Sequence, residues 1–178
     1  MSRISMIPEK EADGAVAEIY GAIKKGLGRI PNAYATIGSH GPEALQAMLG
    51  ADRVLAGGSL SKQDQETIKL AVSELAGCDY CVAAHSMVGK MVGLSDETMR
   101  QIRAGEATGD DKRDALVQFV RTLARTPGTL KQAQFDAIRE AGYSEQQLVE
   151  ISLAIAVITF TNVFNRINDT TVDFPKVA

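Results

Sequence analysis

The sequence predicts an all-α, single-domain helical bundle, on three observations. Apolar residues recur at i, i+3, i+4 and i+7 along most of its length. Helix-start signals precede several of these stripes, and Ser144 with Gln147 has the spacing of a capping box. No stretch shows the period-two alternation of a half-buried strand, and neither a nucleotide-binding glycine loop nor an internal repeat is present. A chain of 178 residues is enough for one domain, residues 1–178, with a sizeable core that needs no disulfide or metal to support it.

The first helix is marked by Val16, Ile19, Tyr20, Ile23 and Leu27, with Gly26 and Gly28 helping to stop it. Residues 29–39 read as a connector containing a short helical turn, broken by Pro31 before and Gly38 after. His40, beside Gly41 and Pro42, reads as a surface or capping histidine. Pro42 opens the second helix, whose face is Leu45, Met48, Leu49, Asp52 and Leu55, and Gly57 with Gly58 closes it. Ser61 caps a third helix with the stripe Ile68, Ala71, Val72 and Leu75. After Gly77, Asp79 is the expected cap of a fourth helix, with Cys81, Ala84, His85, Val88 and Val92 on its inward face.

A fifth helix begins over residues 94–97 with acidic residues in its first turn, and residues 105–111 form a flexible link. Ala115, Leu116, Phe119, Val120 and Leu123 define a sixth helix, which Pro127 and Gly128 end. Thr129 with Gln132 is the expected capping box of the seventh. The last helix, residues 145–168, is nearly all apolar over residues 151–164 but broken by Ser152, Thr159, Thr161 and Asn162. It therefore reads as too short and too polar to span a bilayer. A helix apolar on almost every side must be covered, so part of a subunit interface is expected there.

A net charge of −3 with interspersed signs leaves no basic footprint for nucleic acid and no cationic membrane patch. Residues 1–14 lack the apolar segment of a signal peptide, which predicts a cytoplasmic protein. In a reducing compartment, two cysteines are more often catalytic, redox-sensing or metal-binding than a structural staple.

Chemistry is concentrated in residues 66–85, which hold both cysteines and one of the two histidines. Cys78 and Cys81 form a Cys-x-x-Cys pair, and His85 follows Cys81 by four residues, so thiol and imidazole share a helix face. A thiol needs a helix N-terminus or a neighbouring base to become a nucleophile at neutral pH. Both are within reach of Cys81. Glu66 falls opposite the apolar stripe of its helix, so periodicity alone reads it as solvated. Burial would raise its pKa and suit it to passing a proton. Glu74, one turn before Cys78, is a second candidate carboxylate. Cys78, Cys81 and His85 would also supply three zinc ligands, one short of a closed structural site.

The order Glu66, eleven residues, Cys78, two residues, Cys81, three residues, His85 resembles the signature of the alkylhydroperoxidase D-like family, within the carboxymuconolactone decarboxylase-like superfamily. The segments GRIPNAYATIGSHGPEAL and FTNVFNRINDTTVDFP resemble the same group. The pattern departs at Tyr80, where better-studied peroxidases carry a second histidine. The resemblance implies a helical homo-oligomer, a trimer or hexamer, acting as a thiol peroxidase without cofactor or metal. It implies a hydroperoxide substrate and a disulfide reduced by a lipoyl- or thioredoxin-like dithiol partner. It makes Cys81 the peroxide-reactive sulfur, Cys78 the resolving one, and His85 with Glu66 the proton relay, with Glu74 and Tyr80 as possible supporting residues. Cys78, beside Gly77 and Asp79, is also where a reductant is expected to reach. Asn162, Asn165, Arg166 and Asn168 could meet the redox site or a neighbouring subunit. A thiol sensor or scaffold, or a decarboxylase or lactone-type enzyme, are the competing readings.

Overall fold

The computed structural model describes residues 2–177. Among them nine α-helices follow a short 3-10 turn at Glu9–Glu11, and no strand is present. In chain order they are α1 (Gly14–Leu27), α2 (Asn32–His40), α3 (Pro42–Ala56), α4 (Lys62–Ala76), α5 (Asp79–Met91), α6 (Asp96–Ala104), α7 (Asp111–Arg125), α8 (Gln132–Glu140) and α9 (Glu145–Asn168).

Helix α4 is the axle of the bundle, with α5, α6, α7 and α9 packed around it. Its start is local chemistry: the Ser61 hydroxyl accepts the Asp64 N–H at 3.0 Å. Its end is Gly77, which takes the left-handed conformation (φ 65°) and returns its N–H to Glu74. Being surrounded, α4 buries residues that its periodicity places on opposite faces, among them Gln65, Glu66, Thr67, Ile68, Leu70 and Ser73.

The starts of α2 and α8 differ from expectation, as does that of α5. Residues 32–40 form a full helix rather than a connector. Gly38 reads as a breaker, but it stands inside α2 because a Cβ there would lie 3.2 Å from both Leu45 and Tyr20. Its role is close packing. The Tyr20 hydroxyl donates to the Ala35 carbonyl at 2.7 Å and ties α1 to α2. Helix α8 begins at Gln132 with Lys131 at its cap, not Thr129, and the Gln134 side chain accepts the Lys131 N–H at 3.0 Å. The box at Ser144 and Gln147 forms as expected, with bonds of 3.2 and 2.9 Å.

By length and composition α9 is able to cross a membrane, contrary to the reading from sequence. Here it packs against α3, α4 and α5 and buries Glu150, Asn162, Asn165 and Asn168. Glu150 accepts the N–H groups of Ser59 and Leu60 and bonds from the Ser59 hydroxyl and Gln146. Gly58 is required beside it, since a Cβ there would come within 2.8 Å of the carboxylate carbon. The chain's two ends close over this helix and α2. Ile4 N–H donates to Asn168 at 2.8 Å, and the Asp173 carboxylate accepts the Asn32 N–H at 3.1 Å. His40 is exposed and bonds the Ser5 carbonyl, a surface role as expected.

Candidate active site

The α4–α5 junction sets both sulfurs. Cys78 itself caps α5, its sulfur accepting the Cys81 N–H at 3.3 Å, while Asp79 is the first helical residue rather than the cap. At this helix end the Cys81 N–H therefore serves the Cys78 sulfur, not that of Cys81 as the sequence suggested. Both cysteines are reduced. They are only 2% and 3% exposed, so Cys78 is not the accessible sulfur expected.

Electrostatics separate the two. A hydrogen bond from the Cys81 thiol pulls Cys78 below its ordinary value. The Cys81 N–H and the charge of Arg166 add to this, against burial and Asp79. Cys81 is pushed up, first by giving that bond to Cys78 and then by burial and the charge of its partner. Asn165 opposes this, its side-chain amide donating to the Cys81 sulfur at 3.3 Å. Asn165 is held in turn by Thr170, whose hydroxyl donates to it at 2.7 Å. In this geometry Cys78 is the sulfur favoured to ionise, because it accepts from both the thiol and the N–H of Cys81.

Glu66 and His85 meet as expected: the imidazole Nδ1 lies 2.8 Å from Glu66 Oε2. Glu66 is 5% exposed, which periodicity did not predict. Burial does push its carboxyl up, but His85 and Lys69 together outweigh it and leave the group below the ordinary carboxylate value, the reverse of the expected shift. An ionised carboxylate only accepts, so Nδ1 carries the hydrogen and Nε2 is the nitrogen left to take a proton. Neither sulfur is hydrogen-bonded to His85 among the described residues.

Lys69 is a member of the site that sequence reading missed. Its ammonium bridges Glu66 at 3.4 Å and Asp52 at 3.3 Å with the side chain only 13% exposed. Burial pulls its pKa down, yet the two carboxylates win and raise it. Tyr34 is the second, its phenol pushed up by burial and then by Asp52, Cys81 and Glu66. The available signal was the i, i+3 step from Glu66 to Lys69, the usual spacing of a helical ion pair.

Two supporting candidates lie elsewhere. Glu74 is an ion-pair partner of Arg103 at 2.8 Å on a half-exposed surface. Tyr80 accepts the Ala33 N–H at 3.1 Å and stacks edge-on against Phe174 at 5.3 Å, so it fastens α2 and the C-terminal tail to α5 without touching a sulfur. Asn162 accepts from Ser73 at 3.2 Å, and Asn168 anchors the chain ends. Among the described residues no cluster of three or more metal-ligating side chains is present.

The model of the Carboxymuconolactone decarboxylase family matches residues 42–118, which run from the start of α3 into α7 and include the cysteines, His85, Glu66 and Lys69. The match takes in less than half of the chain, and it supports the resemblance to the alkylhydroperoxidase D-like, carboxymuconolactone decarboxylase-like family. In fold, the alkylhydroperoxidase core of a peroxidase-related protein from Ralstonia eutropha superposes with a TM-score of 0.85 at 20% identity, over 97% of this chain and 92% of that one. The debrominase Bmp8 superposes with a TM-score of 0.80 at 20% identity, over 97% and 93%. By sequence the chain is 23% identical to the uncharacterized protein YdfG of Bacillus subtilis, over 71% of this chain and 86% of YdfG. It is 27% identical to an alkyl hydroperoxide reductase of Mycobacterium tuberculosis over 60% of its length, but spans only 31% of that protein. The all-helical fold and the alkylhydroperoxidase D-like resemblance agree with expectation.

Proposed function

We propose that this protein is a thiol-dependent peroxidase that reduces hydroperoxides through a Cys78–Cys81 dithiol/disulfide cycle. The observation that carries the reading is the reduced, charge-sharing cysteine pair at the N-terminus of α5, one turn from an imidazole held by an ionised carboxylate. In the first step the Cys81 proton passes to Cys78. The Cys81 thiolate then attacks the outer oxygen of the hydroperoxide, the O–O bond breaks, and the leaving alkoxide takes a proton delivered through His85. Cys81 becomes a sulfenic acid. The Cys78 sulfur attacks it, the disulfide forms and water leaves with the remaining proton. Cys81 is assigned the attack because it shares a face with His85 and receives the Asn165 amide, which stabilises developing charge on that sulfur.

Return to the dithiol requires a dithiol reductant of the lipoyl or thioredoxin kind. With both sulfurs buried, that partner acts only when this end of α5 opens. We place the cycle in the reducing cytoplasm, where free thiols persist, and in a homo-oligomer. Val149, Leu153, Ala156, Phe160, Val163 and Ile167 follow a 4-3-4-3-4 spacing along the outer face of α9, the pattern of a coiled-coil seam. The test is oxidation of the reduced protein with one equivalent of hydroperoxide. Loss of both thiols to one disulfide supports the reading, and retention of both thiols overturns it. A second reading, reductive removal of a halide as in the debrominase of the same fold, predicts thiol consumption by a bromopyrrole and none by peroxide.

A further inference from the structure

A chain of hydrogen bonds runs from the N-terminal arm to the sulfur of Cys81 through groups other than Glu66 and His85. The Ile4 N–H donates to Asn168 Oδ1 at 2.8 Å, Asn168 Nδ2 to Thr170 Oγ1 at 2.9 Å, the Thr170 hydroxyl to Asn165 Oδ1 at 2.7 Å, and Asn165 Nδ2 to Cys81 Sγ at 3.3 Å. Asn165, Asn168, Thr170 and Cys81 are all buried. Asp169 makes the turn, taking the left-handed conformation (φ 50°) directly after α9. It brings Thr170 back over the helix end, where the Thr170 N–H also donates to the Asn165 carbonyl at 3.2 Å. The arm is fixed beside it by the Arg3 N–H, which donates to the Asn168 carbonyl at 2.7 Å.

All of these bonds point the same way, and the first decides the direction. A backbone N–H only donates, so the Asn168 atom facing Ile4 is the oxygen and its amide nitrogen is the donor to Thr170. The Thr170 oxygen accepts there and places its one hydrogen on Asn165 Oδ1, which leaves the amide nitrogen of Asn165, not its oxygen, toward the sulfur. The opposite orientation would set a carbonyl dipole against charge forming on Cys81. Thr161 also favours the Cys81 thiolate, but its single hydrogen lies on the Ile158 carbonyl at 3.0 Å.

We infer that Thr170 and Asn168 are positioning residues for the reacting sulfur: polarised by the Ile4 N–H, they hold the Asn165 amide as a donor to Cys81, offset the burial of that sulfur and favour its thiolate. The inference rests on the peroxidase reading for the choice of Cys81 as the attacking sulfur. The direction in which Asn165 acts on the Cys81 thiol, a lowering against Cys78 and burial, agrees. The other titratable and charged groups carried toward this region are Cys78, Asp79 and His85 around the start of α5, Tyr34 of α2, Glu66 of α4 and Arg166 of α9. Helix α6 engages its charges in ion pairs, Arg103 with Glu74, Asp96 with Lys90 and Arg100 with Glu97. None of these side chains is hydrogen-bonded to Thr170 among the described residues, so a change at Thr170 reaches the sulfur through Asn165.

The test reads Cys81 alone, in a Cys78→Ser background that removes the upward push of the partner thiol. Thr170→Val keeps the shape of the side chain and deletes the hydroxyl that holds Asn165. With the amide freed and the Cys81 value higher by about one pH unit, the thiolate fraction at neutral pH falls about tenfold while the nucleophilicity of the remaining thiolate rises about threefold. The expected result is a reaction about threefold slower at neutral pH with both hydrogen peroxide and methyl methanethiosulfonate, a deficit that closes as pH rises toward the thiol's own value. Thr170→Ser, which keeps the hydroxyl, should react at the rate of the background. Asn165→Leu should show the same deficit, and adding Thr170→Val to it should slow the reaction no further, since the two residues supply one donor. A deficit that Thr170→Ser shares, or that stays constant with pH, is one of packing and overturns the inference. A Thr170→Val rate equal to that of the background with both reagents overturns it as well. A Cys81 that is slowed by Thr170→Val toward the thiosulfonate but is inert to peroxide overturns the peroxidase reading and supports the donor chain.

Discussion

Removing the charge of Glu66 tests whether the Glu66–Lys69–Asp52 chain is an energetic unit. At 3.4 Å, the Glu66–Lys69 attraction in a medium of effective dielectric constant near 20 is about 5 kcal/mol before desolvation is counted. Both groups are largely withdrawn from water, so part of that is offset, leaving an expected coupling of about 2–3 kcal/mol. Glu66→Gln should destabilise by about 3 kcal/mol, because Lys69 is left buried beside Asp52 alone. Lys69→Met should cost a similar amount, and the double variant should be less destabilised than the two singles summed. Urea unfolding of the four proteins measures this. The Glu66 carboxyl lies below its unfolded value in the folded protein, so its contribution is full above about pH 4.3 and fades as pH falls through the folded value. The parent should therefore lose stability on acidification faster than Glu66→Gln. Additive single effects, within about 0.5 kcal/mol, would refute the coupling.

Three further outcomes are expected. Cys78→Ser should react once with hydroperoxide and leave a sulfenic acid on Cys81 that dimedone traps, whereas Cys81→Ser should not react. A trapped sulfenic acid on Cys78 with Cys78→Ser inert would exchange the roles and agree with the lowered pKa of Cys78. Glu150→Gln should cost about 1–2 kcal/mol at neutral pH, with the difference from the parent shrinking below about pH 4, because burial raises this carboxyl but the Ser59 and Leu60 N–H groups bring it below the ordinary value. Chemical denaturation at pH 7 and pH 3.5 checks the sign. Val163→Glu, at a 47% exposed position in the α9 seam, should convert an oligomer to monomers in sedimentation at micromolar concentration with little change in helicity. A parent that is already a monomer refutes the seam.

What the sequence determined by itself was whatever acts within about one helical turn. Ser61 and Ser144 each cap the helix that follows, because the hydroxyl and its N–H partner are three residues apart in the chain. The limits of α9 and the meeting of His85 with Glu66 were legible for related reasons, the first from a local cap and the second from motif spacing. The tertiary structure alone decided the environment of each charged group. Glu66 is buried and Lys69 half-buried although their helix stripe turns away from them, since α4 is enclosed by four other helices. Gly38 continues α2 because Tyr20 and Leu45, distant in sequence, occupy the space its side chain would need. Cys78 is favoured over Cys81 to ionise because its sulfur caps α5 and accepts the Cys81 N–H, a difference of one residue in the helix start that no periodicity resolves.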